Sequence, residues 1–163
     1  MRYCPDRPLP PYAFIPGVYP HPEKEGGHMQ NQEISVRSLA DLPFDKNLDY
    51  LFGIDLFNQQ YFWESHVYWE ALWHKAGRKG ETADFLKGLI KMGAAGVKLK
   101  MSQEDLAIIH FERALELFQP LLSQTQRHGL EVQRLIEDLK SLIKEPHNLY
   151  RVKLKLENVA EVI

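Results

Sequence analysis

Three polar side chains in a tryptophan-rich stretch have the spacing and the chemistry of a functional site. The stretch reads WESHVYWEALWHKAG, and within it His66, Glu70 and His74 are four residues apart. On an α-helix this spacing stacks side chains one turn above another on one side. Imidazole and carboxylate groups arranged in this way can bind a metal ion, transfer protons or form a buried hydrogen-bonded pair.

One interpretation is a metal site. His66 and Glu70 are then ligands, because the HxxxE spacing directs both at one ion, and Zn, Fe, Mn and Ni all accept nitrogen and oxygen ligands. Two protein ligands make an incomplete site. We therefore expect His21 and His28, which lie in the N-terminal segment, to complete the coordination. This hypothesis makes the N-terminal segment a lid over the helix.

A second interpretation is a metal-free site for a small anionic molecule. Lys91 and Lys98 fall on one stripe of a predicted helix, and the next helix carries further basic residues one turn apart. Such side chains bind carboxylate and phosphate groups. A hydrolase or lyase-type reaction is the expected chemistry. The predicted catalytic residues are Glu70 and Lys91, and the predicted ligand-binding residues are Lys98, His110, Arg113 and Trp73.

Two non-catalytic interpretations stand beside these. In the first, His66 and Glu70 are a structural buried pair that fixes the packing of their helix with the help of a lysine or arginine. In the second, the chain is a protein-interaction module, because HFERALELFQP is similar to a tetratricopeptide helix. The chain lacks the self-similarity, with a period of about 34 residues, that a tetratricopeptide array shows. Homodimerisation through the apolar first helix is compatible with every interpretation.

The elements that position these residues are predicted to be helices. Apolar periodicity predicts helices over about 45–60, 61–76, 81–100, 102–119 and 129–144. Asp45 and Ser102 are the predicted N-caps of the first and fourth helices, and Gly77 is the predicted residue after the second. Trp63, His66, Glu70 and Trp73 follow the spacing of a buried helix face. The small residues between 88 and 96 predict a close helix crossing.

The ends of the chain differ from this helical middle. Seven of the ten prolines lie in the first 22 residues, which excludes regular helix there. Its aromatic and β-branched residues predict that it packs on the body. We therefore expect an irregular N-terminal extension over 1–44, a helical bundle over 45–146 and an extended C-terminal arm over 147–163, where LYRVKLKLE alternates apolar and basic residues. The fold class is all-α, a single-domain antiparallel bundle of about five helices.

Composition limits the classes of partner. The chain has 163 residues and a formal net charge of −2, so no overall positive field favours nucleic acid or an anionic membrane. Its single cysteine, Cys4, excludes an intramolecular disulfide and fits a reducing compartment. No apolar run approaches the roughly 20 residues that span a bilayer, and prolines interrupt any signal peptide. We expect a cytoplasmic protein with a small-molecule ligand, no nucleic acid, no membrane and a homodimer as an open possibility.

The middle of the chain resembles a known family, the uncharacterised bacterial and archaeal proteins called domain of unknown function 309. The resemblance rests on HxxxExxW, met by His66, Glu70 and Trp73, on a GLIQ-like motif at 88–91 and on AIIHFERAL at 107–115, and it covers about 56–122. Lys91 stands where many relatives have Gln, and Lys98 where they often have His. These departures favour an anion site over a metal site. The resemblance implies a helical bundle and no established reaction.

Overall fold

The computed structural model describes residues 1–160 and consists mostly of α-helices. They are α1 (Leu48–Asn58), α2 (Phe62–Lys75), α3 (Glu81–Lys100), α4 (Glu104–Phe118) and α5 (Val132–Lys144). Short 3-10 helices follow at Gln119–Leu121 and Pro146–Arg151, and a hairpin joins β1 (Gln126–Arg127) to β2 (Leu130–Glu131). Consecutive helices pack against each other, with α3 between α2 and α4. The predicted all-α bundle is confirmed. Within residues 1–160, no helix is both long and apolar enough to cross a membrane.

The helix ends follow local hydrogen-bonding rules, and two of the predicted caps are wrong. The side chain of Asn47, and not Asp45, caps α1 by accepting a hydrogen bond from the Tyr50 N–H. Ser102 has a φ of +59° and follows the end of α3, where its N–H bonds to the Leu99 carbonyl. A serine therefore occupies the left-handed position that glycine usually takes, and α4 starts without a side-chain cap. Gly77, with a φ of +80°, takes that position after α2 as expected.

Glycines in α3 let the neighbouring helices approach its backbone. A Cβ on Gly96 would lie 2.3 Å from the Phe62 ring, and a Cβ on Gly88 would lie 2.5 Å from the Phe118 ring. Phe62 begins α2 and Phe118 ends α4, so α3 runs antiparallel to both. The predicted close crossing is present on two sides of one helix. The rings fill the space that the missing side chains leave, which compensates for the low helix propensity of glycine.

The N-terminal segment, residues 1–44, covers α1. Helix α1 is buried continuously from Tyr50 to Phe57, including the carboxylate of Asp55. The Asp55 oxygens accept the backbone N–H groups of Tyr3 and Cys4, each at 2.7 Å. A helix that is apolar all round must be covered on every side. The N-terminal segment supplies the cover that the other helices do not.

The extended arm is predicted over 147–163, but residues 147–151 belong to the second 3-10 helix. The C-terminal arm is therefore residues 152–160, which lie on the bundle with no partner strand among the described residues. The Asn58 side chain takes the place of one, because it accepts the Leu154 N–H at 2.7 Å and donates to the Leu154 carbonyl at 2.9 Å. Leu154 and Leu156 are buried and Lys153 and Lys155 are exposed, as alternation predicts. The Leu156 N–H donates to the hydroxyl of Tyr3 at 2.9 Å. Residues 161–163 of the predicted arm lie outside the described residues.

The hairpin before α5 was not predicted from the sequence. His128 and Gly129 form its two-residue turn with φ values of 45° and 82°, the signs that a type I′ turn requires. The His128 carbonyl accepts a hydrogen bond from the hydroxyl of Tyr50 at 2.8 Å, and the His128 ring packs against Phe85. Burial, and then the charge of Arg127, lower the pKa of His128 to about 4.

This burial makes stability depend on pH. His128 is neutral in the folded chain and has an ordinary pKa of 6.5 when unfolded, so protons bind the unfolded chain more readily. The contribution of the neutral His128 to the free energy of unfolding is complete above pH 6.5. It falls by about 1–3 kcal/mol as the pH is lowered towards 4. Urea unfolding between pH 7 and pH 4 measures this loss. His128→Asn, which tolerates the left-handed backbone and does not titrate, should flatten it; an unchanged slope contradicts the assignment.

Candidate functional site

The buried face of α2 is shifted by one residue along the sequence from the buried face that the sequence predicts. Its buried residues are Phe62, Glu64, Ser65, Trp69 and Leu72. Trp63, His66, Glu70 and Trp73 have the same spacing but are only partly buried. The expectation that they form the buried face is therefore wrong. The column of His66, Glu70 and His74 lies at the surface of the bundle, where a ligand can reach it.

The column has a defined hydrogen-bond arrangement. The His66 Nδ1 lies 2.7 Å from the Trp63 carbonyl oxygen, and its Nε2 lies 3.4 Å from Glu70 Oε2. The other oxygen of Glu70 lies 3.7 Å from His74 Nε2. The side chains of His66 and Glu70 are 24% and 46% exposed. They are a partly solvated pair, and not the buried pair that one of the interpretations expects.

The two histidines of the N-terminal segment lie elsewhere. His21 packs on the Trp63 ring, with ring centroids 5.5 Å apart, and His66 packs on the same ring at 5.8 Å. His28 bonds through Nε2 to Glu64, on a different side of α2. Across residues 1–160, no group of three or more His, Cys, Asp or Glu side chains is placed to hold a metal ion. The structure therefore does not bring His21 or His28 to His66 and Glu70 as additional ligands.

Glu64 is the polar residue that sequence reasoning missed. Its carboxylate is 1% exposed, accepts the Phe14 N–H at 3.0 Å and lies 2.7 Å from His28 Nε2. The Tyr12 ring packs against the His28 ring at a tilt, and its hydroxyl accepts the His28 backbone N–H, which completes a folded loop over 12–28. The only signal in the sequence is the phase of the helix, which places Glu64 next to the apolar face. Its partners lie about 36 to 50 positions away and cannot be inferred from spacing.

Basic side chains gather between α3 and α4. Lys91 and Lys98 are half-buried, and both lie close enough to His110 of α4 to act on its charge. Burial, and then the charges of Lys91 and Lys98, lower the pKa of His110. In the part of the chain that the structure describes, neither lysine has an acidic partner or hydrogen bond. Arg113 is different, because Glu116 accepts its hydrogen bond at 2.9 Å.

Trp73 lies between basic side chains at the end of α2. The ammonium of Lys87 is 5.5 Å from the centre of its ring, and the guanidinium of Arg78 is 5.8 Å away. These distances fit cation–π contacts. The Trp73 ring thus already contacts two cations of this chain. Its predicted role as a ligand-binding residue stays a prediction.

The two predicted catalytic residues do not contact each other. Glu70 is paired with the histidines of its own helix, and no contact within the described residues joins it to Lys91.

The structure shows a cavity of about 1240 Å³ along the C-terminal arm and α5, and one of about 280 Å³ between Phe14, Gln60 and Val97. None of the predicted site residues lines either cavity. The predicted site residues of α2, α3 and α4 therefore lie outside both cavities, on partly or fully exposed parts of the bundle.

Cys4 is unsuited to nucleophilic chemistry. It is buried in the N-terminal segment, and its thiol lies 3.6 Å from the Leu48 carbonyl oxygen. Burial, and then the charge of Asp55, raise the pKa of Cys4 to about 11. The reactive thiolate is therefore scarce at neutral pH.

The buried carboxylate of Glu64 should be essential for docking the N-terminal segment. Glu64→Ala leaves the Phe14 N–H and the His28 ring buried without a partner. The free energy of unfolding measured in urea should therefore fall by about 2–4 kcal/mol. Glu64→Gln retains an acceptor and should lose less. Limited proteolysis should cut within 12–28 faster in the alanine variant. Glu112→Ala, an exposed change on α4, serves as the control, and equal stability of the two alanine variants would refute the role of Glu64.

Comparison with known proteins agrees with the resemblance seen in the motifs. A family model described as "Domain of unknown function (DUF309)" matches residues 50–109. The match extends from within α1 through α2 and α3 into α4, so it starts and ends earlier than the expected 56–122. It includes Lys91 and Lys98 and stops one position before His110. No curated protein matches the chain. Over residues 50–109 the chain is similar to the family described as a domain of unknown function, DUF309.

Proposed function

We propose that the chain binds a small anion, a carboxylate or a phosphate, on the open face between α3 and α4. The observation that supports this proposal is the pair of half-buried lysines, Lys91 and Lys98, which lack an acidic partner within residues 1–160. A half-buried ammonium group loses part of its hydration and is stabilised by a counter-ion. Neither lysine receives one from the part of the chain that the structure describes. A bound anion would supply it.

His110 gives the same face a group that can donate a hydrogen bond without adding charge. Partial burial, and then the charges of the two lysines, lower the pKa of its imidazole and so favour the neutral ring. A neutral ring still carries one N–H, which can donate to an anion oxygen. Lys91, Lys98 and His110 would therefore contact different oxygens of one group. Arg113 lies one turn further along α4, and binding would require it to exchange Glu116 for the ligand.

An anion at this face should raise the pKa of His110, because its negative charge opposes the two lysines that lower it. The measurement is an NMR titration of the His110 ring proton against pH, without and with phosphate or succinate. Lys91→Met and Lys98→Met should each weaken anion binding by about tenfold, as expected for one hydrogen bond to a charged group.

The matched control is Lys140→Met, which removes an exposed lysine of α5. It should leave both the affinity and the His110 titration unchanged. A His110 pKa that does not respond to phosphate, succinate or citrate contradicts the proposal. Equal loss of affinity in the control and in the Lys91 variant would show that binding depends on the overall charge of the protein and not on a site at Lys91.

A divalent metal ion at His66 and Glu70 is a second candidate, and one observation favours it. The Trp63 carbonyl can only accept a hydrogen bond, so the Nδ1 of His66 carries a proton. In a neutral ring the Nε2 then presents a lone pair towards Glu70 Oε2 at 3.4 Å. A proton on Nε2 or a bound metal ion would each remove the repulsion between these two acceptors. A carbonyl bond at the other ring nitrogen is also common in metal-binding histidines.

Elemental analysis of untagged protein, after incubation with Zn, Mn, Fe(II) or Ni and desalting, distinguishes the two cations. If a metal binds, His66→Ala and Glu70→Gln should each remove it and leave the helical circular dichroism intact, because both side chains are partly exposed. His21→Ala should retain it, since His21 packs on Trp63. Wild-type protein that holds no metal, with NMR showing a proton on His66 Nε2, would make the pair an ion pair only. Hydrolase or lyase activity stays a prediction, because Glu70 and Lys91 share no contact.

A further inference from the structure

A cavity lies where the N-terminal segment meets the junction of α1 with α2 and the end of α3. Its volume is about 280 Å³, just below the roughly 300–1,000 Å³ of pockets for drug-sized ligands, so it has room for a molecule of about one ring. Its walls include Ala13, Ile15, Tyr19, Gln60, Tyr61 and Val97. None of Lys91, Lys98 and His110 lines it. This cavity, which we call the N-terminal cavity, is therefore distinct from the proposed anion site.

Two tyrosine side chains give the N-terminal cavity aromatic walls. Tyr19 is 43% exposed and stacks on Tyr12 at a centroid distance of 4.9 Å. Tyr61 is half-buried and makes no ring contact within residues 1–160. Aromatic rings favour other rings as neighbours beyond the gain from burying apolar area. Each tyrosine therefore has aromatic surface left for a ligand that carries a ring.

One cation stands at the open side of the N-terminal cavity. The exposed Lys100 donates a hydrogen bond to Gln60 Oε1 at 3.0 Å, and its ammonium lies 4.6 Å from the centre of the Tyr150 ring. It has no acidic partner within residues 1–160, and no Asp or Glu lines the cavity. The Gln60 Nε2 group also lacks an acceptor in the described part of the chain. Lys100 and Gln60 can therefore both donate to one carboxylate.

Gln60 occupies a backbone position that favours glycine. Helix α1 ends in a Schellman motif, in which the Gln60 N–H bonds to the Phe57 carbonyl at 2.9 Å and the Tyr61 N–H bonds to the Leu56 carbonyl at 2.8 Å. Gln60 has a φ of +66°, in the left-handed region that glycine adopts more easily than other residues. The chain thus has an amide side chain where glycine is the more stable choice. That side chain holds Lys100 at the cavity.

We propose that the N-terminal cavity binds a small carboxylic acid with an aromatic ring. The ring packs against Tyr19 and Tyr61, and the carboxylate accepts hydrogen bonds from Lys100 and Gln60. A cationic ligand would meet the charge of Lys100 with no carboxylate in the lining to offset it. An acid without a ring would leave the surfaces of both tyrosines uncovered. The lining therefore selects a ligand that has both groups.

The N-terminal segment completes this site. Tyr19 belongs to the loop over 12–28, which Glu64 holds to α2 through the Phe14 N–H and the His28 ring. The cavity therefore exists only while that loop is docked. Because a ligand stabilises the state that binds it, the acid should slow proteolytic cleavage within 12–28. In Glu64→Ala, which loosens the loop, the acid should bind more weakly.

The test titrates the full chain with phenylacetate and follows the backbone amide signals by NMR. Saturable shifts should appear within 13–19, 59–62 and 97–100, which include the residues that line the cavity. Phenylacetamide lacks the negative charge, cyclohexylacetate lacks the aromatic ring, and acetate lacks any ring. Phenylacetamide and acetate should bind about tenfold more weakly than phenylacetate, and cyclohexylacetate about threefold more weakly.

Variants separate binding from folding. Lys100→Met should weaken phenylacetate binding about tenfold, as expected for a lost hydrogen bond to a charged group, and leave phenylacetamide binding unchanged. Gln60→Gly should also weaken phenylacetate binding, yet keep or raise the melting temperature, because glycine fits the left-handed backbone. Lys144→Met, which removes an exposed lysine of α5, is the matched control and should bind phenylacetate as the wild type does.

Three results would overturn the inference. The first is the absence of a saturable shift at millimolar phenylacetate. The second is equal affinity for phenylacetamide or cyclohexylacetate, which would show that the cavity does not select for charge or for an aromatic ring. The third is binding that Lys91→Met abolishes and Lys100→Met retains, which would locate the acid at the Lys91 site. The phosphate titration of His110 is measured separately, so the two proposals can fail independently.

Discussion

Two buried carboxylates hold the molecule together by accepting backbone hydrogen bonds from a segment that has no regular structure. Asp55 of α1 binds the N–H groups of Tyr3 and Cys4, and Glu64 of α2 binds the N–H of Phe14. Burying an irregular segment is costly, since its backbone groups lack the partners that helices and sheets provide. Charged acceptors offset this cost, because hydrogen bonds to a carboxylate are stronger than those between neutral groups. Without them α1, apolar on all sides, would be exposed to water.

This anchoring divides α2 into sides with different tasks. Phe62 and Trp69 face the core, Glu64 faces the N-terminal segment, and His66 and Glu70 face outwards. The rings of His21 and His66 contact the same Trp63 ring. The N-terminal segment therefore reaches as far as Trp63, next to the outward-facing side of α2. Glycines 93 and 96 bring α3 close against the start of α2. The positions of Lys91 and Lys98 relative to His66 are thus fixed by the packing of small residues and rings.

The helices could be predicted from the sequence because their signals are local. The bounds of α3 agree with the expected ones, and Gly77 ends α2 by the backbone freedom that glycine alone has at low cost. The phase of α2 could not be read as safely. Two series, one through Phe62 and Trp69 and one through Trp63 and Trp73, both keep helical spacing, and only the more apolar first series is buried. The hydrogen bonds of Asp55 and Glu64 could not be predicted from the sequence, because their partners lie some 50 positions away. The column of His66 and Glu70 was found by spacing, whereas its exposure depended on the phase.

The hydrogen bond between the Leu156 N–H and the Tyr3 hydroxyl joins residues 153 positions apart. Such a contact can form only after nearly the whole chain between them has collapsed, since closing a long loop must be compensated by contacts already made. During synthesis the N-terminal segment leaves the ribosome before the C-terminal arm, yet its final place against the arm exists only when the arm has followed. A segment that is made before the rest of the bundle is therefore among the last to reach its native position.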